Sequence, residues 1–231
     1  MAEKYLTEEN LSNKTAAWLR DFARKQLPLR KEKSALLVVD MQEFFLNPKS
    51  HAHVPVAGIV LSKALKLVRC FLAHKRPVFV TRHVIKRGEE GMFGRWWKDT
   101  LYPEHPLIDL APEIKRHAEK GDVVVVEKNR YSAFYNTPLE KMLRDRQVGD
   151  VVVTGVVTHL CCESTARDAF MRDFSVFIPV DGVGDWTENF HTSSLRNMGH
   201  GFATLTTTEK ICREIKRQGA AAGNENRKYP C

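Results

Sequence analysis

The chain has 231 residues, 43% hydrophobic and 28% charged, with a formal net charge of +8. That length and composition fit one globular domain with an added arm. No apolar run approaches the ~18–20 residues of a membrane span, and Met1-Ala2-Glu3-Lys4-Tyr5 lacks the apolar core of a secretory signal. A cytoplasmic protein is therefore expected. The basic residues are scattered over helices and both ends, without aromatics interleaved on one face, which argues for a solvated surface rather than nucleic-acid binding. The five cysteines form no paired CxxC sets: Cys161 and Cys162 are adjacent, and Cys70, Cys212 and Cys231 stand apart. Reduced thiols fit this pattern better than a disulfide framework.

Residues 7–27 open with Thr7-Glu8-Glu9 and carry an apolar stripe through Leu11, Trp18, Leu19 and Phe22, so a helical arm is expected. A linker follows from Pro28 to Lys33. Ser34-Ala35-Leu36-Leu37-Val38-Val39-Asp40 is a nearly continuous apolar run ending in a carboxylate, as in a strand buried on both faces of a parallel sheet. Residues 59–74 read as a helix and 77–81 as the second strand. From Lys86 to Pro106, glycines and prolines break every period around Phe93, Trp96 and Trp97, and a long loop or cap is expected. A short helix (110–119), a third strand (122–127) followed directly by Lys128, and a helix (138–146) come next. A fourth strand (150–156) turns at Gly155 and leads into a helix from Cys161. A fifth strand (175–180), a helix (188–199), a sixth strand (203–207) and a last helix (208–217) complete the body. The tail, 218–231, is small and polar and reads as mobile.

Strands alternating with helices predict an α/β fold, a parallel sheet covered on both faces as a three-layer sandwich. Asp40, Lys128 and Cys161 each stand at or just beyond the carboxyl end of a predicted strand, the edge where open α/β sheets bind ligands. A thiol nucleophile, a carboxylate for its proton and an ammonium to favour anions would suit covalent catalysis. Each has a plainer reading: helix cap, surface lysine, buried small hydrophobe. Cys162 shares a helical face with Ala166, Ala169 and Phe170, so it reads as core, whereas Cys161 is rotated ~100° from it toward the cleft. A helix N-terminus beside Cys161 would lower its thiol pKa.

Three stretches resemble the isochorismatase-like cysteine hydrolase family. They are Leu37-Val38-Val39-Asp40-Met41-Gln42, then Glu127-Lys128 leading into Arg130-Tyr131-Ser132-Ala133-Phe134, and Thr154 to Cys161 with Ser164 to Ala169. The resemblance covers Ser34 to Thr207. It implies a six-stranded α/β/α sandwich of order 3-2-1-4-5-6 within a domain spanning 34–217, preceded by the 1–33 arm. It also implies a catalytic triad of Asp40, Lys128 and Cys161, a cis peptide at Val156–Val157, and an oxyanion hole made by the amides of Val157 and Cys161.

The resemblance divides on chemistry. Amide- and ureido-cleaving members use the cysteine, through a thioester. True isochorismatases split a vinyl ether and carry a non-nucleophilic residue at that position. Cys161 favours C–N hydrolysis here. His159, Cys162, the Arg130–Phe134 motif, Ala169 to Asp173 and the helical arm are more similar to isochorismatases, which would use Asp40 as acid on isochorismate. A binding module without catalysis is the remaining alternative. Nicotinamidases carry an Asp-x-His metal motif after the second strand; the matching stretch here is Thr81-Arg82-His83, and His51-Ala52-His53 lacks a third ligand nearby, so no metal or cofactor is expected. Phe134, Trp97, Tyr131 and His159 are candidate pocket walls, and Arg82, His83, Arg95 or Arg130 could bind a substrate carboxylate. The expected partners are a small-molecule substrate and further copies of the chain, with neither nucleic acid nor membrane.

Overall fold

The structure is a computed structural model and describes residues 2–97 and 99–217; the tail from 218 to 231 lies outside the described residues. In chain order the elements are α1 (Leu11–Phe22), β1 (Ser34–Val39), α2 (Glu43–Leu46), α3 (Ala57–Ala73), β2 (Val78–His83), α4 (Gly91–Trp96), α5 (Pro112–Glu119), β3 (Val124–Lys128), α6 (Leu139–Asp145) and β4 (Asp150–Val156). A wide π-helical turn, Thr158–Cys162, leads into α7 (Glu163–Met171), followed by β5 (Ser175–Pro179), β6 (Val183–Gly184), α8 (Glu188–Gly201), β7 (Thr204–Thr206) and α9 (Thr208–Lys216).

The sheet is parallel throughout, in the order β3-β2-β1-β4-β5-β7, with β6 paired to the carboxyl end of β4. The apolar runs that announce β1 and β4 are fully buried along their whole length, as expected of central strands covered on both faces. Successive crossovers run one way from β1 to β3 and the other way from β4 to β7. Right-handed connections then put the two sets of helices on opposite faces. α3 packs with α9 and against β1 and β4, while α7 and α8 pack together on β5 and β7. The reversal falls between β1 and β4, the switch point where such sheets form their crevice.

The expected order 3-2-1-4-5-6 is the order found once the two-residue β6 is set aside, and three local details differ. The sheet has a seventh member, β6, because after Pro179 the chain leaves β5 and returns to pair Val183 and Gly184 with Gly155 and Val156. Two residues are too few to show a strand period. The stretch from Lys86 to Pro106 contains α4, hidden in the sequence by Gly91 and Gly94. The arm helix begins at Leu11 rather than Thr7, because Thr7 and Asn10 bond each other's backbone N–H groups through Asn10 Oδ1 (2.8 Å) and Thr7 Oγ1 (3.3 Å) and turn the chain first. α1 lies on α8, where Trp18 meets the His191 ring at 4.5 Å and Lys14 pairs with Glu188 at 2.6 Å. Among the described residues no helix is long and apolar enough to cross a membrane.

The two central strands leave no room for a side chain at Gly155. Its φ is +122°, and a Cβ there would sit 2.1 Å from the Val39 carbonyl oxygen. Gly155→Ala is expected to cost about 3 kcal/mol or more, through both the backbone conformation and the clash. Urea unfolding measures it, and a loss below ~1 kcal/mol would show that β1 and β4 can separate at this point.

Candidate active site

Each candidate side chain is placed by the end of a strand. Asp40 follows β1 at φ +50°, a left-handed conformation that aspartate tolerates better than most residues. Thr81, on neighbouring β2, holds it there. The Thr81 hydroxyl oxygen accepts the Asp40 N–H (3.0 Å) and its O–H donates to Asp40 Oδ1 (2.6 Å). Lys128 ends β3, two strands from β1 in the sheet, and its ammonium nonetheless reaches Asp40. Cys161 lies in the π-helical turn after β4, a widened helical form that often marks functional positions. The Val156–Val157 peptide before that turn is cis.

The three groups meet. Lys128 Nζ lies 2.7 Å from Asp40 Oδ2, donates to Cys161 Sγ at 3.4 Å, and donates to the Arg130 carbonyl at 3.1 Å. The ammonium's three protons thus face three acceptors. Asp40 Oδ1 is committed to Thr81, while Oδ2 faces the Lys128 ammonium and keeps a second lone pair for a proton. Both charged side chains are fully buried. Burial works against each charge, yet the opposing partner wins: the Lys128 ammonium holds the Asp40 carboxyl below its ordinary value, and Asp40 with Cys161 holds the Lys128 ammonium above its own.

The thiol behaves differently from the sequence expectation. Burial pushes the Cys161 pKa well up, and the adjacent Asp40 charge adds to that rise; Lys128 opposes it and loses. That direction keeps the Cys161 thiol protonated at neutral pH. The helix-terminus argument would lower its pKa, but desolvation is the larger effect at a residue only 6% exposed.

Cys161, Val157 and Leu160 form the floor of a cavity of about 570 Å³. Its walls are mostly aromatic and apolar, including Phe45, Phe93, Trp97, Leu101, Tyr131 and Trp186. Trp97 Nε1 donates to the Tyr131 hydroxyl at 2.9 Å, which locks two of the sequence-predicted walls together. Cys162 is fully buried and does not line the cavity. The Val157 N–H has no hydrogen-bond acceptor among the described residues.

Two expected walls are elsewhere. Phe134 is turned into the core, stacked on Phe174 at 6.0 Å. His159 turns away from Cys161: its Nδ1 lies 2.8 Å from the buried Asp185 carboxylate, which also accepts the His159 N–H, and it borders a separate groove with Glu163 and Arg167. The candidate arginines are also committed outside the cavity. Arg82 pairs with Glu127, Arg130 donates to the carbonyls of Glu89 and Asn129, and Arg95 faces an outer groove. Of the four residues considered for a carboxylate, His83 alone lines the cavity. His51 reaches the rim, 3.5 Å from Asp99. Among the described residues, no three His, Cys, Asp or Glu side chains are grouped to hold a metal ion.

Sequence reasoning passed over Thr81, Gln42 and Trp186. Gln42 grips the end of β2, accepting the His83 N–H (2.7 Å) and donating to the His83 carbonyl (3.1 Å). Trp186 donates to the Ala52 carbonyl at 3.1 Å, closing a wall next to the N-terminal segment. The lone signal for Thr81 and Gln42 was position: each stands at a strand end beside a residue already singled out.

A parallel sheet with its reactive groups beside a largely apolar cavity at the carboxyl edge of the switch point is the ligand-binding arrangement of a doubly wound α/β fold. A family model described as Isochorismatase domain matches residues 34–210. The chain belongs to that family, the isochorismatase-like hydrolases. It is 36% identical over 184 residues to Nicotinamidase 3 of Arabidopsis thaliana, covering 79% of this chain and 88% of that protein. It is 29% identical to Enterobactin synthase component B of Escherichia coli (strain K12), over 78% of this chain and 62% of the longer relative. The crystal structure of a cysteine hydrolase from Pseudomonas syringae pv. phaseolicola 1448A superimposes with a TM-score of 0.76 at 27% identity, covering 83% of this chain and 96% of that one.

Proposed function

We propose that the protein hydrolyses the C–N bond of a small neutral amide, with Cys161 as nucleophile, Asp40 as proton carrier and Lys128 as the fixed positive charge between them. The observation that carries this reading is the contact of one buried ammonium with both the Asp40 carboxylate (2.7 Å) and the Cys161 sulfur (3.4 Å) beneath an apolar cavity. The 36% identity to a protein named as a nicotinamidase agrees with it.

The steps follow from the electrostatics. Because the resting thiol is protonated and the Asp40 carboxyl is ionised, the proton moves to Asp40 as sulfur attacks, when negative charge is already passing to the carbonyl oxygen. That oxygen is received by the amides of Val157 and Cys161. Collapse breaks the C–N bond, and the leaving nitrogen takes the proton from Asp40. A thioester remains on Cys161. Water attacks it, Asp40 accepts the water's proton, and that proton returns to sulfur as the acid leaves. The balance is amide plus water to carboxylic acid plus ammonia.

Vinyl ether hydrolysis fits less well for two physical reasons. Isochorismate carries two carboxylates, but among the described residues no arginine or lysine lines the cavity, and the Asp99 carboxylate borders it. An Asp40 held ionised by Lys128 is also a poor acid for protonating an enol ether. A panel of neutral primary amides, ureido acids and isochorismate tests the proposal. Ammonia from a neutral amide is expected. Pyruvate from isochorismate, with no ammonia from any amide, would overturn the reading.

A further inference from the structure

The turn that carries Cys161 is also held from the side facing away from the cavity. A helix leaves its first N–H groups without an acceptor inside it. The turn Thr158–Cys162 has no side-chain cap of its own, because Val157 stands where a capping residue would and has no side-chain oxygen. Asp185 supplies the acceptor from 26 residues further along the chain. Its Oδ2 accepts the His159 N–H at 2.8 Å and lies 2.8 Å from His159 Nδ1, while Oδ1 accepts the Trp186 N–H at 2.8 Å. The carboxylate is fully buried, and these bonds offset its removal from water.

Asp185 stands on a rigid support. It follows β6, whose Val183 and Gly184 pair with Gly155 and Val156, the residues that lead β4 into the turn. β6 is pressed onto α3: a Cβ at Gly184 would lie 2.6 Å from Val60 Cγ2 and 2.9 Å from Val56 Cγ2. Behind it, the Asp185 N–H donates to the Tyr5 hydroxyl at 3.0 Å. The His159 ring is fixed on its other sides, stacked on Phe190 with centroids 4.4 Å apart and meeting Trp186 edge-on at 5.8 Å. His159 falls midway in the chain between Val157 and Cys161, so whatever fixes its N–H fixes the course of the backbone between them.

We infer that Asp185 is a positioning residue: by gripping His159 it holds the Val157 and Cys161 amides and the Cys161 sulfur in the alignment that hydrolysis needs. The inference rests on the amide-hydrolysis reading for the reaction. It goes beyond that reading by assigning a part in it to a group that does not line the cavity. A misplacement of about 1 Å in such a constellation costs on the order of a hundredfold in rate. The cavity walls have their own anchors, the Trp186 indole on the Ala52 carbonyl at 3.1 Å and the Trp97 indole on the Tyr131 hydroxyl at 2.9 Å. Loss of the grip is therefore expected in kcat rather than in KM.

The test compares Asp185→Ala and Asp185→Asn with the intact protein, where circular dichroism shows each to be folded. On the neutral amide that the panel above identifies, Asp185→Ala is expected to lose about a hundredfold in kcat, with KM within about threefold. Asp185→Asn keeps an acceptor oxygen for the His159 N–H and is expected to lose only about three- to tenfold. Hydrogen exchange of the peptide spanning Val157 to Cys162, read by mass spectrometry, reports on the turn without reference to catalysis. It is expected to speed up about tenfold in Asp185→Ala while the β1 and β4 peptides keep their protection. A merely structural role would loosen those strands as well and leave kcat per folded molecule unchanged. If the intact protein releases no ammonia from any amide, the hydrolytic reading fails, and the exchange result alone decides whether Asp185 holds the turn. A kcat for folded Asp185→Ala within about threefold of the intact protein, unchanged exchange at the turn, or an asparagine variant as impaired as the alanine one would overturn the assignment. Should Asp185→Ala not fold, Asp185→Asn carries the test, and an unaltered kcat overturns it.

Discussion

Lys128→Met is expected to destabilise the protein by about 3–5 kcal/mol and to remove turnover. Lys128 and Asp40 are both fully buried and 2.7 Å apart. Neither charge can be regarded as a simple gain in stability, because both are taken out of water. What makes the variant costly is the residue it leaves behind: a carboxylate with the Thr81 hydroxyl on one oxygen and no counter-charge. Burial alone raises the Asp40 pKa, so the orphaned carboxyl takes up a proton, and its capacity as proton acceptor is lost with it. The double variant Asp40→Asn with Lys128→Met removes both charges and is expected to recover most of the stability but none of the activity. Urea unfolding of the single and double variants provides the comparison. A loss below about 1 kcal/mol for Lys128→Met would place the pair in water, as for surface ion pairs, and the site described above would be wrong.

Cys161→Ala is expected to lower turnover by at least about a thousandfold, as for other nucleophile deletions, while leaving the fold intact. The cavity borders Cys161, so loss of the sulfur widens an existing space instead of opening a new void in the core. Cys162→Ala makes the informative contrast. Cys162 is fully buried and does not line the cavity, so that change is expected to reduce stability and leave a functioning enzyme. Circular dichroism with ammonia release distinguishes the two. Near-normal turnover by a folded Cys161→Ala variant would remove the nucleophile from the mechanism.

The parts of this molecule that were legible in the sequence are those whose signal is local. β1 and β4 declare themselves because a strand buried on both faces must be apolar throughout. Asp40 and Lys128 stand at the ends of apolar runs and Cys161 in the turn after a third, so their common edge could be deduced once the strands were read as parallel. The separation of Cys161 from Cys162 followed from helical phase, although the turn proves to be π-helical over Thr158–Cys162. Features that depend on register across strands were not legible. Thr81 matters because β2 lies beside β1, and Gln42 because its amide reaches the backbone of His83. Nor could the sequence show that burial outweighs the helix terminus at the thiol, or that Phe134 turns into the core and His159 toward Asp185. Those outcomes are fixed by packing between elements far apart in the chain.

The central claim is that an acyl group passes through the Cys161 sulfur. Acid quenching during turnover of a neutral amide substrate, followed by intact mass and peptide mapping, tests it most directly. The expected result is a transient increase equal to the acyl group, confined to the peptide carrying Cys161, lost on treatment with hydroxylamine and absent from Cys161→Ala. Ammonia release with no adduct on Cys161, at a rate that Cys161→Ala matches, would contradict it.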